Sequence, residues 1–210
     1  MQDNSGLKGI LSSSYIYEQF QNLVGVKYAR KWLAENYWNL SGGKKVVDVG
    51  CGSGTALDHL PQDITYVGFD ISEDYIAAAR QRRDKRAEFT VNNARQLLEA
   101  PNPQLNGSDL ILCNGLLHHL DDEEVLCVLK LAKQILSITG RLVCFEPTYL
   151  AHQGFFSVWL MSRDRGKNVR FEDEWKQLVS TVFERFETRI ATNLYRLPYI
   201  HIIIECRRAV

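Results

Sequence analysis

The sequence carries no excess of either charge, with 25 Lys and Arg against 25 Asp and Glu. Without a net field nothing draws it to nucleic acid or to an anionic membrane, and neither is expected as a partner. No run of 18 apolar residues occurs, which excludes a transmembrane helix. The start, Met1-Gln2-Asp3-Asn4-Ser5-Gly6, lacks the basic stretch and apolar core of a signal peptide. The five cysteines, Cys51, Cys113, Cys127, Cys144 and Cys206, are odd in number, widely spaced and without a C-x-x-C pair. They read as reduced packing residues of a cytoplasmic protein, not as a metal site or a disulfide set. At 210 residues the chain is long enough for one domain with a sizeable core.

What the sequence does have is Val46-Val47-Asp48-Val49-Gly50-Cys51-Gly52-Ser53-Gly54-Thr55. Val46 to Val49 is short, β-branched and mostly apolar, as a buried strand is. A glycine turn follows, and Ala56 to Leu60 then reads as the start of a helix. Gly50 and Gly52 open backbone conformations closed to other residues and let a ligand approach the chain. The helix beyond them presents unpaired N–H groups. A turn of this kind binds a dinucleotide or another adenosine cofactor. The spacing argues against a dinucleotide, because Thr55 stands where the last fingerprint glycine is required. Asp48, just before the turn, suits a cationic ligand better than a pyrophosphate.

The D-x-G-x-G-x-G pattern of Asp48 to Gly54 resembles motif I of the class I S-adenosylmethionine (SAM)-dependent methyltransferases. A second stretch carries the same resemblance. Asp109-Leu110-Ile111-Leu112-Cys113-Asn114-Gly115-Leu116-Leu117-His118-His119-Leu120 resembles that family's strand-four motif, a strand that runs into a turn with paired histidines. Between the two, Ile64 to Asp70 is a strand ending in an acid, 20 residues beyond Gly50. An acid there accepts hydrogen bonds from both ribose hydroxyls. Ser72 is a good N-cap for a helix from Glu73 to Arg83. Ala87 to Asn92 is a third strand, followed by Asn93, Ala94 and a short helix around Gln96 to Glu99. The family often has an acid at this strand end, facing the adenine amine. Asn92 or Asn93 stands there instead, and an amide oxygen also accepts from an amine.

The resemblance covers residues 44 to about 147. It implies SAM as cofactor, held by Asp48, Gly50, Cys51, Gly52, Gly54, Asp70, Ile71, Asn92, Asn93, Ala94, Asn114, Gly115 and Leu116. It also places His118 and His119 at the rim of the acceptor pocket. Methyl transfer is an in-line displacement at a carbon activated by positive sulfur, so much of the catalysis is positioning. An oxygen or nitrogen nucleophile also needs its proton removed, which a histidine does near neutral pH. At most one of the pair is needed for that; the other packs or caps. No metal-ligand spacing is present.

The remaining chain frames this site. Residues 1–43 read as N-terminal cap helices, with Tyr15, Tyr17 and Phe20 as candidate pocket residues and a second helix from Ala29 to Trp38. Residues 44–210 then form the methyltransferase domain, with a substrate cap at about 150–180. A long amphipathic helix from Asp121 reaches about Ser137, Thr139-Gly140 ends it, and Arg141 to Glu146 is the fifth strand. Tyr149 follows on the cofactor side, and Leu150 to Met161 is an apolar, aromatic helix over the pocket. In the basic stretch after it, Arg163, Arg165 or Arg170 clamps an anionic group of the acceptor, unless the stretch is a solvated loop. Val182 to Ala191 and Tyr199 to Arg207 are two more strands, too closely connected for a crossover helix and therefore antiparallel. The fold class is α/β: a Rossmann-like, seven-stranded, mostly parallel sheet with an antiparallel last strand and helices on both faces. The activity implied is methyl transfer to an O, N or C atom of a small-molecule metabolite. An NAD-dependent oxidoreductase and a non-catalytic SAM-binding subunit are the alternatives, and Thr55 and the terminal hairpin speak against the first.

Overall fold

A computed structural model of the chain describes residues 25–162, 166 and 168–209. Tyr15, Tyr17, Phe20, Arg163 and Arg165 lie outside the described residues.

Among the described residues eight strands form the sheet: β1 (Lys45–Val49), β2 (Thr65–Asp70), β3 (Ala87–Val91), β4 (Ser108–Asn114), β5 (Leu136–Tyr149), β6 (Arg170–Phe171), β7 (Arg185–Thr192) and β8 (Ile200–Arg207). Seven run in the order β3-β2-β1-β4-β5-β8-β7, and the two-residue β6 pairs with the end of β5. β1 to β5 are mutually parallel, whereas β8 is antiparallel to both β5 and β7. The seven residues between β7 and β8 are too few for a crossover, so β8 returns as a hairpin and slots between β7 and β5. The order reverses between β1 and β4, the switch point where the strand ends splay and ligands bind.

Among the described residues six α-helices cover the faces: α1 (Val26–Leu33), α2 (Glu73–Gln81), α3 (Ala94–Glu99), α4 (Asp122–Ile135), α5 (Phe155–Met161) and α6 (Glu172–Ser180). Each central strand is apolar on both faces and feeds two cores. Val47, Val49, Ile111 and Cys113 pack toward α3, α4 and α6. Val46, Leu110 and Leu112 pack toward α1 and α2. Sealing both faces suits a parallel sheet, whose strands have no solvated side. The caps follow the sequence. The Ser72 hydroxyl accepts from the Tyr75 amide at 3.3 Å. Asp121 and Glu124 form a reciprocal capping box at the start of α4.

Several elements depart from the sequence expectations. The helix from Ala29 to Trp38 is α-helical only over Val26–Leu33 and finishes in a π-turn, Ala34–Trp38. Thr55–His59, after the glycine turn, is a single 3₁₀ segment. The long helix stops at Ile135, and β5 starts at the next residue and runs through Thr139-Gly140. Gly140 is a close-packing glycine inside a strand: a Cβ there would overlap the Ser108 carbonyl at the register shift between β4 and β5. The aromatic helix is shorter than expected, starting at Phe155. Cys51, Cys113, Cys144 and Cys206 are buried thiols, and burial pushes Cys113 and Cys206 well above the ordinary thiol range.

Candidate active site

β1 ends at Val49, and the chain then doubles back over the top of β2. The amides of Gly50 and Cys51 both donate to the Phe69 carbonyl, at 2.9 and 3.1 Å. Gly50 and Gly52 hold φ at 68° and 53°, a region that strongly favours glycine. A Cβ on Gly50 would come within 2.9 Å of the Leu116 side chain, whereas one on Gly52 would meet nothing within 4 Å. Gly52 therefore keeps an open approach to the turn's backbone.

Asp70, at the tip of β2, fastens this turn. Its Oδ2 accepts from the Gly52 amide at 3.0 Å and its Oδ1 from the Ser72 amide at 2.9 Å. Each oxygen keeps a second lone pair for a ligand. Beside it opens a cavity of about 300 Å³. Val49, Phe69, Ile71, Leu116, Leu120 and Val128 give it apolar walls, and Asp70, Asn92, Asn93, Arg95 and Glu124 give it polar edges. Ile71 is 75% exposed, an isoleucine left uncovered at the cavity wall. Asn92 folds its side-chain oxygen onto the Asn93 amide, and Asn93 caps α3 through the Gln96 amide.

Sequence expectation and structure separate at Asp48. Its carboxyl does not line the cavity. It is 3% exposed and accepts a hydrogen bond from the Tyr66 hydroxyl at 2.5 Å. Burial pushes its pKa up to about 7, with the Tyr66 hydrogen bond and the Arg30 charge working against that rise. The reason is strand alternation: Asp48 points to the face of Val46, under the turn, where Tyr66 from β2 meets it. Gly54 is likewise a packing glycine, since a Cβ there would lie 2.7 Å from the Phe89 ring. Cys51 is buried, its sulfur beside Gly68.

The end of β4 builds the other wall. Asn114 is the last residue of β4, and Leu116, two residues on, lies against Gly50. Asn114 Oδ1 is buried and has no hydrogen-bond partner among the described residues. Leu117–His119 is a 3₁₀ turn. Its amides have an acceptor that sequence reasoning did not single out. Glu146 on β5, fully buried, accepts from the amides of Leu116 and Leu117 at 2.9 Å each and of His118 at 3.3 Å. The same carboxylate lies 2.7 Å from His118 Nδ1. An ionised Glu146 can only accept, which makes Nδ1 the donor of this pair. His119, half-buried, packs against His118 with ring centroids 4.1 Å apart and the planes tilted by 38°. Gly166 lies against the His118 ring, where any Cβ would overlap it. A lone acid in the apolar run Leu142 to Pro147 was the signal for Glu146, since a buried carboxylate demands donors.

Arg170 does not face the pocket as an anion clamp. It is 7% exposed and committed to Asp122 and to three backbone carbonyls. Tyr149, at the end of β5, packs on Phe171 at 5.6 Å. Among the described residues no cluster of three or more metal-binding side chains occurs, and no helix is long and apolar enough to cross a membrane.

Residues 47–142 match the family model for a methyltransferase domain. The solved structures agree in fold. The chain resembles a SAM-dependent methyltransferase from Archaeoglobus fulgidus with a TM-score of 0.70 at 17% identity, over 91% of this chain and 99% of that one. The chain has the class I methyltransferase fold. The chain is also similar to the mitomycin 7-O-methyltransferase MmcR, with a TM-score of 0.68 at 19% identity, over 93% of this chain and 58% of that one. A third match, with a TM-score of 0.70 at 15% identity, is to the complex between the Haloferax volcanii Trm112 methyltransferase activator and a methyltransferase; it covers 95% of this chain and 97% of that one. No curated protein matches by sequence. The matched family model and the Archaeoglobus neighbour make S-adenosylmethionine the cofactor to test against this site. The residues present fit it: an open glycine turn, an acid at the tip of β2 with lone pairs to spare, and a buried acceptor at Asn114 that no described group satisfies.

Proposed function

We propose that this protein is an enzyme that transfers the methyl group of SAM to an oxygen or nitrogen atom of a small-molecule metabolite, with His118 as general base. The observation that carries the reading is the His118–Glu146 pair, set at 2.7 Å on the turn that also walls the cofactor cavity. An oriented imidazole on this turn suits a hydroxyl or amine acceptor, whose proton must leave, better than a binding module, which needs no base.

SAM, when bound, supplies a methyl carbon activated by a positive sulfur. The chain's own residues do the rest. Asp70 accepts hydrogen bonds from the ribose hydroxyls while keeping the Gly52 amide. Asn92, Asn93 and Ala94 meet the adenine, Ile71 and Leu116 flank it, and Asn114 Oδ1 accepts from the amino-acid end. Glu146 keeps the proton on His118 Nδ1, so Nε2 takes the acceptor's proton as the methyl group moves. Tyr149 lines the acceptor side. For Tyr15, Tyr17, Phe20, Arg163 and Arg165 the reading stays the one the sequence suggests, an aromatic and basic acceptor pocket that would suit an anionic metabolite. A small-molecule acceptor is further supported by the balanced charge of the chain and by the likeness to a mitomycin 7-O-methyltransferase.

The test is a screen of hydroxylated and amine metabolites with radiolabelled SAM, run on the wild type and His118→Gln. Label transfer that falls by about a hundredfold or more in His118→Gln supports the reading. Transfer that His118→Gln leaves unchanged removes the base, and stoichiometric SAM binding without transfer to any acceptor favours a non-catalytic SAM-binding subunit.

A further inference from the structure

The turn that carries Leu116 and His118 is gripped from two sides. Glu146 takes its amides from below. From the opposite end of the turn, Arg170 takes its carbonyls. Nη1 of Arg170 donates to the Leu117 carbonyl at 3.3 Å and Nη2 to the Leu120 carbonyl at 3.0 Å. The same guanidinium bonds Asp122 Oδ1 through Nε at 3.1 Å and Nη2 at 2.7 Å, and donates to the Asn168 carbonyl at 3.1 Å. Its carbon sits 4.8 Å over the fully buried ring of Trp175. Asn168 adds a strut of its own, its amide donating to the His118 carbonyl at 3.0 Å.

We propose that Arg170 is a positioning residue for the cofactor site, holding the 116–120 turn so that Leu116 stays on Gly50 and His118 stays on Glu146. The inference rests on the methyltransferase reading for what the turn does, but not for what holds it. The turn is short and irregular, and its carbonyls do not all find partners within it. One planar fork reaches two of them, the Asn168 carbonyl and the Asp122 carboxylate at once. A lysine carries three donors on a point charge and cannot reproduce that span. The Asp122 carboxyl is 69% exposed, so the ion pair itself is the weaker part of the arrangement, and the buried carbonyls are the stronger. The consequence runs through contacts. Slack at Leu117 and Leu120 moves Leu116, which walls the cavity and packs on Gly50, and His118, whose ring is set by Glu146.

The experiment measures S-adenosylhomocysteine (SAH) binding by calorimetry, well below the melting temperature, on wild type, Arg170→Met, Arg170→Lys and Asp122→Asn. Histidine ¹⁵N NMR on the same samples reports the His118 Nδ1–H. Arg170→Met and Arg170→Lys are expected to weaken SAH by about tenfold and to broaden or lose the Nδ1–H resonance, while Asp122→Asn stays within about twofold. A merely structural arginine would lower the melting temperature and leave both readouts of the folded protein in place, and that result overturns the proposal. If Arg170→Met does not fold, Arg170→Lys decides by the same two readouts. Wild type that does not bind SAH contradicts the methyltransferase reading instead, and the Nδ1–H resonance still tests the clamp.

Discussion

Asp70 Oδ2 accepts the Gly52 amide at 3.0 Å, tying the tip of β2 to the glycine turn that follows β1. One carboxylate therefore shapes the turn and faces the cavity. Removing it costs twice, through the lost acceptor for ribose and through the slackened turn. Asp70→Ala is expected to weaken SAH by roughly a hundredfold, and Asp70→Asn by less, because its amide oxygen still accepts from one side. Calorimetry on the two variants measures the difference; equal affinities would mean that the turn, not the ribose, is what Asp70 serves.

Gly52 and Gly54 are two residues apart and fail in different ways. Gly54→Ala drives a Cβ into the Phe89 ring from a left-handed backbone, at a cost of roughly 3 kcal/mol in stability. Gly52→Ala meets no protein atom and carries only the backbone strain, about 1 kcal/mol, but its methyl group stands in the cofactor's approach. Thermal melts should rank Gly54→Ala as the less stable protein. Titration of the folded fraction should rank Gly52→Ala as the weaker binder of SAH.

Asp48 makes stability depend on pH in an unusual direction for a carboxyl. Its pKa of about 7 in the folded chain lies above the ordinary carboxylate value, so between about pH 4 and pH 7 the folded state holds a proton that the unfolded state has lost. The stability it contributes is full below about pH 4 and is lost as pH rises through 7. Asp48→Asn keeps a partner for Tyr66 and cannot ionise. Its stability relative to wild type should climb across that window, by roughly 4 kcal/mol as an upper bound. Denaturant unfolding at a series of pH values reads this slope, and a flat difference would show that Asp48 ionises normally.

Glu146→Gln is close to isosteric and still accepts amides through its oxygen, but no longer holds the charge beside His118. Methyl transfer should fall at least tenfold, with SAH affinity nearly kept. Loss of SAH affinity in parallel with rate would assign Glu146 to the shape of the turn alone.

The order of strands and helices was legible because the chain punctuates itself: apolar β-branched runs, the glycine turn at 50–54, caps at Ser72 and Asp121, and a final connection too short to cross. The places of the glycine turn, Asp70 and Asn114 to Leu116 at strand ends were also legible, while their contacts with a cofactor are proposed. The buried pairing of Asp48 with Tyr66 was not legible, because it depends on which face of β1 the acid takes and on a tyrosine of the neighbouring strand. Glu146 showed only as a lone acid in an apolar run, and Arg170 was hidden, for the same reason at longer range. Each acts on a turn about 30 and 50 residues away, and neither periodicity nor local composition reveals a partner across the fold. The helix boundary at Ile135 failed because Gly140 punctuates a crowded strand rather than a turn.

Calorimetric titration of the purified protein with SAH and, in parallel, with NAD tests the central claim most directly. Micromolar binding of SAH, none of NAD, and loss of the SAH signal in Asp70→Ala is the result predicted. Binding of NAD with no response to SAH would contradict it.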